Sequence, residues 1–145
     1  MLKEAFQKEV REILGISAEQ VAVLPHEKER PFYAVAFEHY ELGNYRVAAQ
    51  LFTQLVLTNP FSEHYWHGLA SAKQMAREYE AALHAWGLLA LLREGDPLIH
   101  FHAAECLLAL HDKEEGAKAV QAALELCKDG ELLEQINALK KVHDV

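Results

Sequence analysis

"PFYAVAFEHYELGNYRVAAQLFTQLVLTNP" (residues 31–60) and "EHYWHGLASAKQMAREYEAALHAWGLLALL" (residues 63–92) decide the fold. Set 34 residues apart, the two stretches match: Phe32 falls on Trp66, Ala36 on Ala70, Tyr45 on Tyr79, Ala48 on Ala82 and Phe52 on Trp86. A further step of 34 reaches His100, Ala104, Lys113, Gly116 and Val120. Within each unit apolar residues recur three and four apart, and strand patterns are almost absent, so the chain reads as all-α. The small residues have a physical task. Ala36, Ala70 and Ala104 fall midway along each first helix, and Ala48, Ala82 and Gly116 fall early in each second helix. Only small side chains let antiparallel helices approach closely at those crossings, and the large residues 32, 52, 66 and 86 fill the space between them.

This period and pattern resemble the tetratricopeptide repeat. The resemblance gives three repeats, at residues 29–62, 63–96 and 97–130, stacked as a helical solenoid. The third is eroded, with His100 for the aromatic, Lys113 for the tyrosine and no closing proline. Local punctuation agrees. Gly43-Asn44 separates the helices of the first repeat, and Asn59 before Pro60 ends its second helix. Asp96-Pro97 is an N-cap with proline at the first helical position. Asp112 with Glu115 is a capping-box-like start.

Segments flank the array. Residues 1–28 form an N-terminal helical extension, with Leu2, Phe6, Val10, Ile13 and Leu14 on one face. That face is expected either to dock on its own array or to pair two copies as a homodimer. "PHEKERP", residues 25–31, reads as a polar joint. Residues 131–145 read as an amphipathic capping helix, because solenoid ends need covering.

The net charge of −8 and the lack of clustered Lys and Arg argue against nucleic acid or anionic membrane as partners. No signal-peptide core precedes the array, and the longest apolar run, residues 85–92, is too short to cross a bilayer. Cys106 and Cys127 make no disulfide framework. A cytoplasmic location is expected.

In the repeat family the inward face recurs at repeat positions two, five, nine, twelve and thirteen. Mapped onto this sequence, the set is Arg30, Tyr33, Phe37, Tyr40 and Glu41; then His64, His67, Ser71, Gln74 and Met75; then Leu98, Phe101, Glu105, Leu108 and Ala109. Aromatic and aliphatic side chains rimmed by polar ones mark an interaction surface. The groove holds few cations to clamp a carboxylate-ended peptide, so an extended, mainly apolar segment is the expected ligand.

"FYAVAFEHYELGNYRVAAQLF" (residues 32–52) followed by "FHAAECLLAL" (residues 101–110) is similar to the class II chaperones of type III secretion, which hold translocator proteins before export. The likeness covers roughly residues 29–128. It implies cytoplasmic binding of a client's N-terminal segment in the hollow groove, with Tyr33, Phe37, Tyr40 and Tyr45 forming the pockets, and dimerisation through N-terminal helices. With the positional mapping, the expected peptide-binding set is Tyr33, Phe37, Tyr40, Tyr45, His67, Gln74, Phe101, Glu105 and Leu108. A needle-subunit chaperone packing a helical client, or a general repeat scaffold, stays open as an alternative.

Chemical readings are weaker. His64 with His67, and His102 with Glu105 and Cys106, have ligand-compatible spacing, but no second cluster completes a metal site. Cys106 falls where the first helix packs on the preceding repeat, and such a cysteine is inert. There is no glycine-rich phosphate loop and no triad motif. Neither enzyme activity nor a metal or other cofactor is expected.

Overall fold

The computed structural model describes residues 2–17 and 23–145, with side chains from Glu4 onward. Eight α-helices and no strand occur among these residues: α1 Leu2–Leu14, α2 His26–Glu41, α3 Tyr45–Thr58, α4 Glu63–Met75, α5 Tyr79–Leu92, α6 Pro97–Ala109, α7 Lys113–Leu126 and α8 Gly130–His143. No helix among them is long and apolar enough to cross a membrane.

Helices α2 to α7 form three antiparallel pairs. Ala36, Ala48, Ala70, Ala82 and Ala104 have no exposed surface, and Gly116 is buried with them. A Cβ on Gly116 would lie 2.6 Å from Leu108 Cδ2, so α6 and α7 meet there at a distance only glycine allows. Phe52, Trp66 and Trp86 are each at most 1% exposed and fill the spaces between pairs. Trp66 satisfies its ring N–H by donating to the Pro60 carbonyl at 2.7 Å.

Four helix starts are capped by side chains. Ser62 accepts from Tyr65 N–H, Asp96 from Leu98, Asp112 from Glu115 and Asp129 from Glu131. The turn inside each pair is built one way three times. Gly43, Arg77 and His111 adopt φ of 82°, 64° and 63°. Around each, two backbone bonds close the preceding helix, as in Asp112 N–H to Leu107 O and His111 N–H to Leu108 O. This is the Schellman motif. Only the first of the three has the glycine that the left-handed region favours.

The segment expected as a polar joint, residues 25–31, departs from that expectation. Pro25 is an extended N-cap, helix begins at His26, and Pro31 lies inside α2. The Tyr65 hydroxyl donates to Glu29 Oε1 at 3.1 Å, tying this first turn to α4.

At the N-terminus, α1 docks on its own array. Val10 is fully buried, Phe6 stacks on Phe61 with ring centroids 5.1 Å apart, and Gln7 Nε2 donates to the Leu57 carbonyl at 2.8 Å. Ile13 remains 43% exposed. At the other end, Leu132 and Ile136 of α8 close a second core cluster with Phe101, Ala104, Leu108, Val120 and Ala123.

Candidate peptide-binding groove

First helices of consecutive pairs place their inward residues side by side. Between α2 and α4 they enclose a cleft of about 110 Å³, lined by Tyr33, Phe37, Tyr40, Phe52, His67, Gly68 and Ser71. Tyr33 anchors the wall: its ring stacks on Phe37 at 6.4 Å, meets Phe52 edge-on at 5.9 Å and tilts on Tyr65 at 5.6 Å. Phe37 is 48% exposed at the mouth. Gly68 keeps the floor open to Phe52, since a Cβ there would collide with the Phe52 ring. Tyr45 does not line the cleft; it packs edge-on against Tyr40 at 5.4 Å and so fixes the ring that does. Burial, with the neighbouring Tyr45 and Glu41, raises the Tyr40 pKa, so its hydroxyl stays a proton donor at neutral pH.

A polar seam continues from this cleft toward the third pair. Trp86 Nε1 donates to Gln74 Oε1 at 2.9 Å, and Gln74 Nε2 donates to Glu105 Oε1 at 3.1 Å. His102 Nδ1 lies 2.6 Å from the same carboxylate oxygen, while the ring stacks on Trp86 at 4.8 Å. His67 also meets Trp86, edge-on at 5.4 Å. Burial, reinforced by Arg93 and His102, lowers the His67 pKa, so its imidazole is neutral at pH 7. Gln74 and His67 thus meet on one tryptophan, and Glu105 joins them through Gln74 and His102.

The third pair differs from the groove expectation. Leu108 is 3% exposed and packs against Gly116, inside the α6–α7 crossing rather than in the groove. Phe101 is 8% exposed, covered by α8, and its ring edge lines a shallow depression beside that helix. Cys106 is fully buried and its thiol is pushed up to about 12, chiefly by burial. No group of three metal-ligating side chains converges among the described residues.

Sequence reasoning assigned Phe52 to the core and passed over Gly68, yet both shape the aromatic cleft. A glycine within a helical aromatic run was the available signal, because it marks close approach. A larger depression of about 750 Å³ lies between the end of α1, α3 and α5, lined by residues such as Ile13, Leu57 and His84. It shares no residue with the aromatic cleft.

No protein-family model matches the chain. Low calcium response locus protein H of Yersinia pestis is 31% identical over 97 residues, which are 67% of this chain and 58% of that protein. The match therefore spans little more than half of that relative's length. The type III secretion chaperone SycD of Yersinia enterocolitica, in complex with a peptide of the translocator YopD, superposes with a TM-score of 0.75 at 25% identity, covering 83% of this chain and 95% of SycD. PcrH from Pseudomonas aeruginosa gives 0.74 at 26% identity, over 89% of this chain and 100% of PcrH. PcrH is also known bound to the chaperone binding region of PopD. The structural neighbours of this chain are translocator chaperones of type III secretion.

Proposed function

We propose, from this kinship with translocator chaperones, that the chain is itself a chaperone of type III secretion. It holds an extended, mainly apolar segment of a secreted translocator in its groove, in the cytoplasm, and keeps the client from associating before export. The observation that carries this reading is the cleft walled by Tyr33, Phe37, Tyr40, His67 and Ser71. At about 110 Å³ it is below the several hundred Å³ typical of a small-molecule site. It suits one aliphatic side chain projecting from a peptide. The flanking Tyr40 hydroxyl and neutral His67 offer hydrogen bonds to a peptide backbone without demanding charge.

Nothing in this action calls for nucleotide or covalent chemistry. Binding releases water from apolar surface, and handover to the export machinery supplies release. The chain works as a binding protein rather than an enzyme.

Phe37 gives the clean test, because it is half exposed and its loss leaves the core intact. Tyr33 does not, since its ring also supports Phe52 and Tyr65. Translocators that co-purify with the parent chain from cells expressing a type III system should be lost, or bound at least tenfold more weakly, with Phe37→Ala. That factor corresponds to about 1.4 kcal/mol. Undiminished capture by Phe37→Ala would remove the groove assignment.

A further inference from the structure

Helix α8 carries the repeat register one step beyond the three pairs. Ala138 lies 34 residues after Ala104, which lies 34 after Ala70. On that register Gln135, Leu139 and Val142 occupy the positions that Tyr33, Phe37 and Tyr40 occupy on α2. The same repeat positions line a second depression, with their order along the array reversed. Between α6 and α8 runs a depression of about 520 Å³ lined by Phe101, His102 and Glu105 on one side and by Gln135, Leu139 and Val142 on the other. Phe101, His102 and Glu105 are the register counterparts of His67, Gly68 and Ser71, which wall the aromatic cleft. Its apolar contribution is accessible: Leu139 is partly buried and Val142 is 78% exposed.

We propose that the α6–α8 depression is a second anchor site for the same client segment that enters the aromatic cleft. This rests on the groove reading above. The occupant follows from continuity. Gln74 of α4 hydrogen-bonds to Glu105, which His102 also meets, on the near wall of the second depression, so a peptide backbone leaving the aromatic cleft passes polar partners before it reaches Leu139. The spacing follows from helix packing. Two steps between neighbouring first helices, at about 10 Å each, give roughly 20 Å. An extended chain covers that in about six residues. The recognised pattern is therefore two apolar side chains about six residues apart, the second of leucine or valine size. In this arrangement α8 covers the core with Leu132 and Ile136 and extends the groove with the adjoining stripe of Gln135, Leu139 and Val142.

The test uses the full chain and a phage-displayed library of random peptides of about twelve residues, long enough to span both sites. Peptides enriched on the parent protein should carry two apolar residues at the stated spacing. Val142→Glu, an exposed change that leaves the core alone, and Leu139→Gln should each weaken such peptides about tenfold. Both variants should bind single-anchor peptides normally, and a cooperative thermal transition shows that they are folded, at the parent's midpoint for Val142→Glu and somewhat below it for Leu139→Gln, whose side chain touches the second core cluster. Enriched peptides that bind parent and folded variants equally, yet are lost with Phe37→Ala, would overturn the second anchor and leave the groove standing. A library from which the parent selects no peptide would overturn both.

Discussion

Phe37 and Leu108 occupy inward positions on the first helices of their repeats, yet one is 48% exposed and the other 3%. What decides is the residue across the crossing. Leu108 meets Gly116, whose missing side chain makes room for it, while Phe37 faces open groove. Leu108→Ala should therefore cost about 2–5 kcal/mol of stability. Phe37→Ala should cost about 1 kcal/mol, as expected for a half-exposed side chain. Urea unfolding of the two variants measures both, and a Leu108→Ala chain as stable as the parent would contradict the burial. The sequence shows which face of a helix a residue is on but not what lies opposite. Gly116 was legible as a crossing point, whereas its partner was not. The same holds for Phe101, whose cover comes from α8.

Among the elements, the turns repeat more faithfully than the helices do. Gly43, Arg77 and His111 close their helices with the same pair of backbone bonds at the same left-handed angle. For an L-residue that conformation costs about 1–2 kcal/mol, part of which glycine gives back through its freer unfolded chain. His111→Gly should raise stability by about 1 kcal/mol, a thermal midpoint higher by about 2–4 °C for a chain of this size. A lower midpoint would show that the His111 side chain contributes more than its backbone strain costs. Gly43 announced its turn; Arg77 and His111 are legible only through the 34-residue spacing. The start of α2 was not legible at all. Proline at both ends of residues 25–31 argues locally for a joint, and the helix forms there with Glu29 held by Tyr65 of α4. The caps at Asp96 and Asp112, whose chemistry is local, fall where the sequence placed them.

For the molecule as a whole, the helical array was readable from one alignment of the chain with itself, because the crossings need small residues at fixed intervals. The gathering of Tyr33, Phe37 and Tyr40 with His67 around one cleft was readable as a shared inward face. The proposed second anchor depends on α8, whose place emerges only when its register is set against α6. Both depressions then lie along first helices, while α1 and the second helices bear the separate hollow between α1, α3 and α5. The central claim is that the aromatic cleft receives a side chain of an extended client. The most direct measurement is a crystal structure of the chain with a co-purified translocator segment. The account predicts an extended peptide with an aliphatic side chain seated between Tyr33, Phe37, Tyr40 and His67; a client bound as a helix, or seated in the α1–α3–α5 hollow with the cleft empty, would contradict it.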